Sequence, residues 1–158
     1  MNTKWMAGLL LAPLVGIAYS PLVAAQNLDV AVVVNPSNTR AKVTQAELRK
    51  IFAGEKRSWP GGLPIKLIVR APGCHERLVL LRLLGMSETE YKQYWISQIL
   101  RGEAAHEPVA VFSNGMQKEA VTAMPGAIAL MEAQDVKATT RVLQVDGFLP
   151  GTAGYPLH

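Results

Sequence analysis

The segment PIKLIVRAPGCHERLVLLRLLG, residues 64–85, places a strand, a short turn and a helix in immediate succession. Its first seven residues are mostly aliphatic or β-branched, which predicts a strand over residues 64–70. Gly73 lies in the turn, and an apolar-rich helix is expected from about residue 74 to residue 84, with Gly85 as its stop. A strand that passes through a glycine turn into a helix is a building unit of α/β sheets.

The same alternation of strands and helices continues along the rest of the chain. Two capping boxes, Thr44 to Glu47 and Ser87 to Glu90, each predict the start of a helix, and a further helix is expected to begin near Ser113. Further strands are predicted over residues 28–34, 108–112, 127–131 and 140–145. We therefore expect one α/β domain, with a mostly parallel or mixed sheet of about five strands and helices on both faces.

The N-terminal residues have the pattern of a secretory signal peptide. A short start carrying Lys4 precedes an apolar run, and Val23 and Ala25 have the small-residue spacing of a cleavage site. We expect residues 1–25 to be removed, residues 26–147 to form the domain and residues 148–158 to be a loosely held tail. An uncleaved membrane anchor is the alternative, although prolines and a glycine interrupt the run. Cleavage predicts a periplasmic protein without stable membrane insertion.

Composition narrows the class of ligand. The formal net charge is only +4, and the basic residues are dispersed, so nucleic acid is not expected as a partner. A small anionic ligand is compatible with this balance. The sequence contains one cysteine, Cys74, which excludes a disulfide within the chain.

The turn before the second predicted helix has the features of an anion-binding site. The first backbone N–H groups of a helix have no partner within it, and its N-terminus carries partial positive charge. Gly73 lies in a turn that leaves backbone N–H groups free. Arg70 ends the preceding strand, and Cys74 and His75 lie where the turn meets the helix. An ordinary helix cap is the alternative, because every helix has such an N-terminus.

Two other loops follow predicted strands. Asn35 ends the first strand, and Ser113, Asn114 and Gly115 open a later helix. If the strands are parallel, these loops lie at the same edge of the sheet as Arg70, where α/β proteins commonly bind ligands. Each loop is also explained by a turn and a cap alone.

Cysteine chemistry and metal binding are the competing interpretations of Cys74. A cysteine at a helix N-terminus is activated as a nucleophile, but adjacent residues on a helix point in different directions, so His75 is a poor base for it. Cys74, His75 and His106 have no recognised metal-ligand spacing. We therefore expect no catalytic residue, no metal and no cofactor.

Four segments in order, VAVVVNPSN, TQAELRKIFAGEKRSW, PIKLIVRAPGCHERL and SNGMQKEAVTAMPGAIALMEA, resemble the phosphate-binding proteins of ABC transporters, members of the type II periplasmic binding-protein superfamily. The resemblance is to a single second lobe. It implies that Arg70, Gly73, Cys74 and His75 occupy the phosphate loop, and that Asn35, Ser113, Asn114 and Gly115 lie on nearby cleft-edge segments. Cys74 stands where the family has a serine that donates to the ligand.

The resemblance implies an exported, non-enzymatic binding module. It would bind phosphate or a related oxyanion weakly at a helix N-terminus, as part of phosphate transport or sensing. The alternative is a protein-interaction module of the cell envelope that has kept the fold and lost the ligand, with a transporter or sensor as its partner.

Overall fold

The structure is a computed structural model that describes residues 28–158, so the expected signal peptide lies outside the described residues. The described part contains strands β1 (Val30–Val34), β2 (Lys42–Val43), β3 (Lys66–Arg70), β4 (Val109–Val111), β5 (Ala127–Glu132) and β6 (Arg141–Val145). Its α-helices are α1 (Gln45–Phe52), α2 (His75–Leu84), α3 (Glu88–Leu100) and α4 (Asn114–Ala123). A short 3₁₀ turn, Ala133–Asp135, follows β5.

The strands form one mixed sheet in the order β2-β6-β1-β5-β3-β4. β5, β3 and β4 are mutually parallel, and β2 is parallel to β6. β1 is antiparallel to both of its neighbours, β5 and β6. The predicted α/β class and mixed sheet are confirmed, while β2 is a sixth strand that the sequence pattern did not indicate.

Helices cover both faces of the sheet, as expected. Along β1, Val30, Val32 and Val34 face a core shared with α1, α2 and α3. The alternate residues Ala31 and Val33 face a smaller core shared with α4. Because successive side chains of a strand point to opposite faces, a strand covered on both sides is apolar throughout, and all five residues of β1 are fully buried. No helix among residues 28–158 is long and apolar enough to cross a membrane.

The C-terminal segment is fixed to the domain, so the expected loosely held tail is wrong. Tyr155 and Leu157 are buried in the larger core. The Tyr155 hydroxyl donates to the carbonyl of Val30 at 2.7 Å, and the N–H of Val30 donates to the carbonyl of Leu157 at 2.8 Å. The glycines that suggested a loose tail form turns that return the chain to the start of β1, and the domain extends well beyond residue 147.

The turn before β5 is a close contact between two segments of backbone. Gly126 has a φ of +84°, and a Cβ atom built there would lie 2.1 Å from the carbonyl oxygen of Pro64. The carbonyl of Gly126 accepts from the indole N–H of Trp59 at 2.9 Å and from the N–H of Lys66 at 3.0 Å. Only glycine provides both the backbone angle and the space that this turn needs.

Candidate functional site

A cleft of about 340 Å³ lies at the edge of the sheet where β3 and β5 end. The sheet order brings these strands side by side, so the loops that follow them meet at one place. The N-terminus of α2 and the start of α4 complete the walls. The polar side chains that line the cleft are Arg70, His75, Glu76, Asn114, Gln134, Glu132 and Asp135.

Arg70 is the most buried cation of the cleft. Its side chain is only 10% exposed, and its Nε lies 3.4 Å from Oε1 of Glu76, which is itself 4% exposed. Its Nη2 donates to the Sγ of Cys74 at 3.5 Å. Nη1 is buried and has no hydrogen-bond acceptor among the described residues. Buried donors are normally paired, so the unpaired Nη1 is an unfavourable exception.

The N-terminus of α2 adds further donors beside Arg70. Cys74 is the N-cap residue, but its side chain makes no capping hydrogen bond. The backbone N–H groups of residues 75–77 have no acceptor within the described part of the chain, because the first helical hydrogen bond is from Leu78 to Cys74. Gly73, with a φ of +90°, forms the turn that leads the chain into this helix.

Two contacts tie the end of β5 and the turn that follows it to the helices. Nδ1 of His75 lies 2.8 Å from Oε1 of Glu132, where a ring N–H donates to the carboxylate. The side-chain amide of Asn114 donates to Asp135, and its Oδ1 is buried without a donor among the described residues. The cleft therefore presents an unpaired acceptor as well as unpaired donors.

Negative charge outweighs positive charge in this cleft. Three carboxylates, Glu76, Glu132 and Asp135, line it together with one arginine. His75 adds positive charge only when it is protonated. A ligand that carries only negative charge is thus opposed by the carboxylates, while one that also carries a proton can donate to them.

The structure brings together part of the predicted set of site residues. Arg70, His75 and Asn114 line the cleft, and Gly73 and Cys74 form the adjoining turn. Ser113 is the N-cap of α4, and its hydroxyl accepts from the N–H of Met116 at 3.1 Å. Gly115 follows Asn114 in the first turn of α4 and is not part of the lining.

The expectation that Asn35 lies beside Arg70 is wrong. Because β1 runs antiparallel to β5, its last residues lie next to the start of β5, at the opposite edge of the sheet. The Nδ2 of Asn35 donates to the carbonyls of Val121 and Thr122, both at 2.9 Å, at the end of α4. Its Oδ1 accepts from Ser37, so this buried side chain is fully used in holding the fold.

The acidic side chains that line the cleft were not predicted as site residues. Glu132 and Asp135 follow the predicted strand 127–131, as Arg70 ends the predicted strand 64–70, and this position at the end of a strand is the signal that points to them. Glu76 lies in the predicted helix over residues 74–84, but it was not among the predicted site residues. Residues 28–158 contain no cluster of three or more His, Cys, Asp or Glu side chains arranged to hold a metal ion.

Comparison with known proteins identifies related folds. The profile of a PBP superfamily domain matches residues 17–154. Similar solved structures are an ABC-type phosphate transport receptor from Vibrio cholerae (TM-score 0.62, 20% identity, 77% of this chain and 48% of that chain) and PstS from Borrelia burgdorferi (TM-score 0.59, 19% identity, 77% and 49%). A third is a phosphate ABC transporter substrate-binding protein with bound phosphate from Clostridium perfringens (TM-score 0.63, 17% identity, 77% and 46%). The chain spans less than half the length of these structures, and the likeness shows that its fold is that of one lobe.

Proposed function

This chain belongs to the PBP superfamily, and we propose that it is a non-enzymatic binding protein for phosphate or a related oxyanion that carries a proton. The observation that carries the proposal is the nearly buried guanidinium of Arg70, whose Nη1 has no acceptor among the described residues. The solved structures that share its fold include one with bound phosphate, which supports the same class of ligand.

The donors around Arg70 match the acceptors of an oxyanion. A buried N–H without an acceptor is unfavourable, and an anionic oxygen beside Nη1 would remove that cost. The unpaired N–H groups of residues 75–77 lie at the same helix N-terminus, whose partial positive charge favours an anion. Arginine and helix N–H groups together form charge-assisted hydrogen bonds to such a ligand.

The acceptors of the cleft narrow the ligand to an oxyanion with a bound proton. Glu132, Asp135 and the Oδ1 of Asn114 can each accept a hydrogen bond. Hydrogen phosphate can donate one, whereas sulfate at neutral pH cannot and meets the carboxylates as an unscreened like charge. We therefore expect phosphate to bind better than sulfate.

Two substitutions with opposite expected effects on affinity test this proposal by isothermal titration, the first with phosphate and the second with sulfate. Arg70→Ala removes the central donor and should weaken phosphate binding by roughly tenfold to a hundredfold. Glu132→Gln removes one negative charge while keeping an acceptor for His75, and should strengthen sulfate binding by roughly threefold to tenfold. The two substitutions are expected to change anion affinity in opposite directions because the two side chains carry opposite charges in the same cleft.

Arg101→Ala is the matched control for the arginine substitution. Arg101 is the C-cap of α3, forms an exposed ion pair with Glu103, and does not line the cleft. We expect it to leave phosphate affinity unchanged. Equal affinities for Arg70→Ala and the unmodified protein would contradict the assignment of Arg70.

Flat titrations of the folded protein with phosphate would contradict anion binding altogether and favour the alternative, an interaction module for an envelope protein. Exposed apolar side chains support that alternative, because Phe112 (75% exposed) follows β4 and Met116 (47%) lies in the first turn of α4. Leu28, Phe148 and Leu149 are also exposed on segments at the same edge of the sheet.

Export to the periplasm is the second part of the proposal. It is supported by the apolar N-terminal run that ends at Ala25 and by the family of the chain. N-terminal sequencing of the protein from a periplasmic fraction should begin at Gln26. A sequence that begins at Met1 would contradict cleavage.

A further inference from the structure

Cys74 occupies an unusual position for the single cysteine of a chain. It is the N-cap residue of α2, yet its thiol does not cap the helix, and it is partly accessible to solvent. A serine here would normally accept from the N–H groups of the first turn. Because the thiol is a weak acceptor, those donors stay unpaired.

A second and independent feature surrounds the same sulfur atom. The side chain of Arg70 is nine-tenths buried, its Nη2 donates to Sγ at 3.5 Å, and its Nη1 has no acceptor among the described residues. The guanidinium of Arg70 and the N-terminus of α2, which both carry positive charge, therefore lie against the sulfur atom. Glu76, whose carboxylate lies 3.4 Å from Nε, is the countercharge within this group.

We infer that Cys74 is a site of oxidation by hydrogen peroxide, and that its sulfenic oxygen takes the place of a ligand oxygen in the cleft. The Cys74 thiolate attacks one peroxide oxygen, an S–O bond forms, and the O–O bond breaks. Sulfur is oxidised by two electrons, peroxide is reduced, and the second oxygen leaves as hydroxide, which takes up a proton to become water. The new oxygen is an acceptor beside the unpaired donors of Arg70 and of residues 75–77.

The composition of the chain favours persistence of this product. A sulfenic acid is usually consumed by a neighbouring thiol, and the sequence contains no second cysteine. The sulfenic oxygen of oxidised Cys74 would therefore occupy the donors of the oxyanion site and reduce binding of phosphate. This consequence rests on the proposed function, whereas the reactivity of Cys74 does not.

The first measurement follows the thiol alone. The full-length protein is treated with hydrogen peroxide in the presence of dimedone, which traps sulfenic acids, and the adduct is quantified by mass spectrometry in the folded state and in urea. We expect labelling of Cys74 to be about tenfold faster in the folded protein, because the positive environment exists only there. Equal or slower labelling in the folded protein would overturn the inference.

The second measurement titrates phosphate into reduced and peroxide-treated protein. Oxidation should weaken binding by about tenfold, since the added oxygen uses the same donors. Cys74→Ser, treated with the same peroxide dose, is the control for oxidation of methionines and should show no peroxide-dependent change. Absence of binding to the reduced protein contradicts the proposed function. Equal binding before and after confirmed oxidation contradicts blockage by Cys74.

Discussion

Gly126→Ala is expected to lower the free energy of unfolding by about 4 kcal/mol, a large effect for the addition of one methyl group. A Cβ atom at this position would lie 2.1 Å from the carbonyl oxygen of Pro64, far inside contact distance. Alanine would also be strained at a φ of +84°. Relief of the clash would lengthen the hydrogen bonds from Trp59 and Lys66 to the carbonyl of Gly126. Urea denaturation followed by tryptophan fluorescence measures the loss.

Gly62→Ala separates the two causes of this destabilisation. Gly62 has nearly the same backbone angle, with a φ of +88°, but a Cβ atom there would meet nothing within 4 Å. Backbone strain alone should lower the free energy of unfolding of Gly62→Ala by only about 1 kcal/mol. If the two alanine variants unfold at the same urea concentration, the contact between Gly126 and Pro64 does not limit stability.

The second large effect is expected for Asn35→Ala, at about 3 kcal/mol of unfolding free energy. Its Nδ2 satisfies the carbonyls of Val121 and Thr122 at the end of α4, and its Oδ1 accepts from Ser37. The substitution leaves the buried carbonyl of Val121, and the partly buried groups of Thr122 and Ser37, without this partner, which is costlier than the loss of an exposed hydrogen bond. Thermal and urea unfolding should both report the change, while phosphate affinity of the folded variant stays that of the unmodified protein.

Asn38→Ala provides the comparison within the same turn. Asn38 is also buried, but its Oδ1 accepts a single hydrogen bond from the N–H of Arg40, and its Nδ2 has no acceptor among the described residues. Asn38→Ala is expected to lower the free energy of unfolding by about 1 kcal/mol. A reversed order of the two asparagines, or a loss of phosphate binding in folded Asn35→Ala, would show that Asn35 has been wrongly assigned to the fold.

Local signals in the sequence were sufficient to locate the helices. Thr44 and Ser87 cap α1 and α3 through their side chains, and Gly85 ends α2 in the left-handed conformation. These features depend on residues a few positions apart, so they are readable without the tertiary structure. β2 was missed because only two residues, Lys42 and Val43, pair with β6, and no periodicity exists over so short a length.

The direction of β1 and the packing of the C-terminal residues could not be predicted from neighbouring residues in the sequence. Asn35 was placed at the wrong edge because the apolar residues of β1 read the same whichever way the strand runs. The residues after Gly147 were expected to be loose because of their glycines and proline. Their retention depends on Tyr155 and Leu157 meeting β1, a contact between opposite ends of the domain.

The candidate site also contains some residues that could be predicted from neighbouring sequence and others that could not. Arg70, Cys74 and His75 were found because strand, turn and helix start are contiguous in sequence. The opposing carboxylates of Glu132 and Asp135 come from a distant segment, which reaches the cleft only because β5 lies next to β3. The excess of negative charge in the cleft could therefore not be predicted from the segment around Arg70 alone.

The central position of β1 sets a limit on when the domain can fold. β1 is the first strand of the described chain, yet both of its neighbours, β5 and β6, are formed near the end. The middle of the sheet therefore cannot assemble while the protein is still emerging from the ribosome, and its long-range pairings make folding slow. A chain that stays open until synthesis is nearly complete remains available for threading through a secretion channel, in keeping with the proposed export.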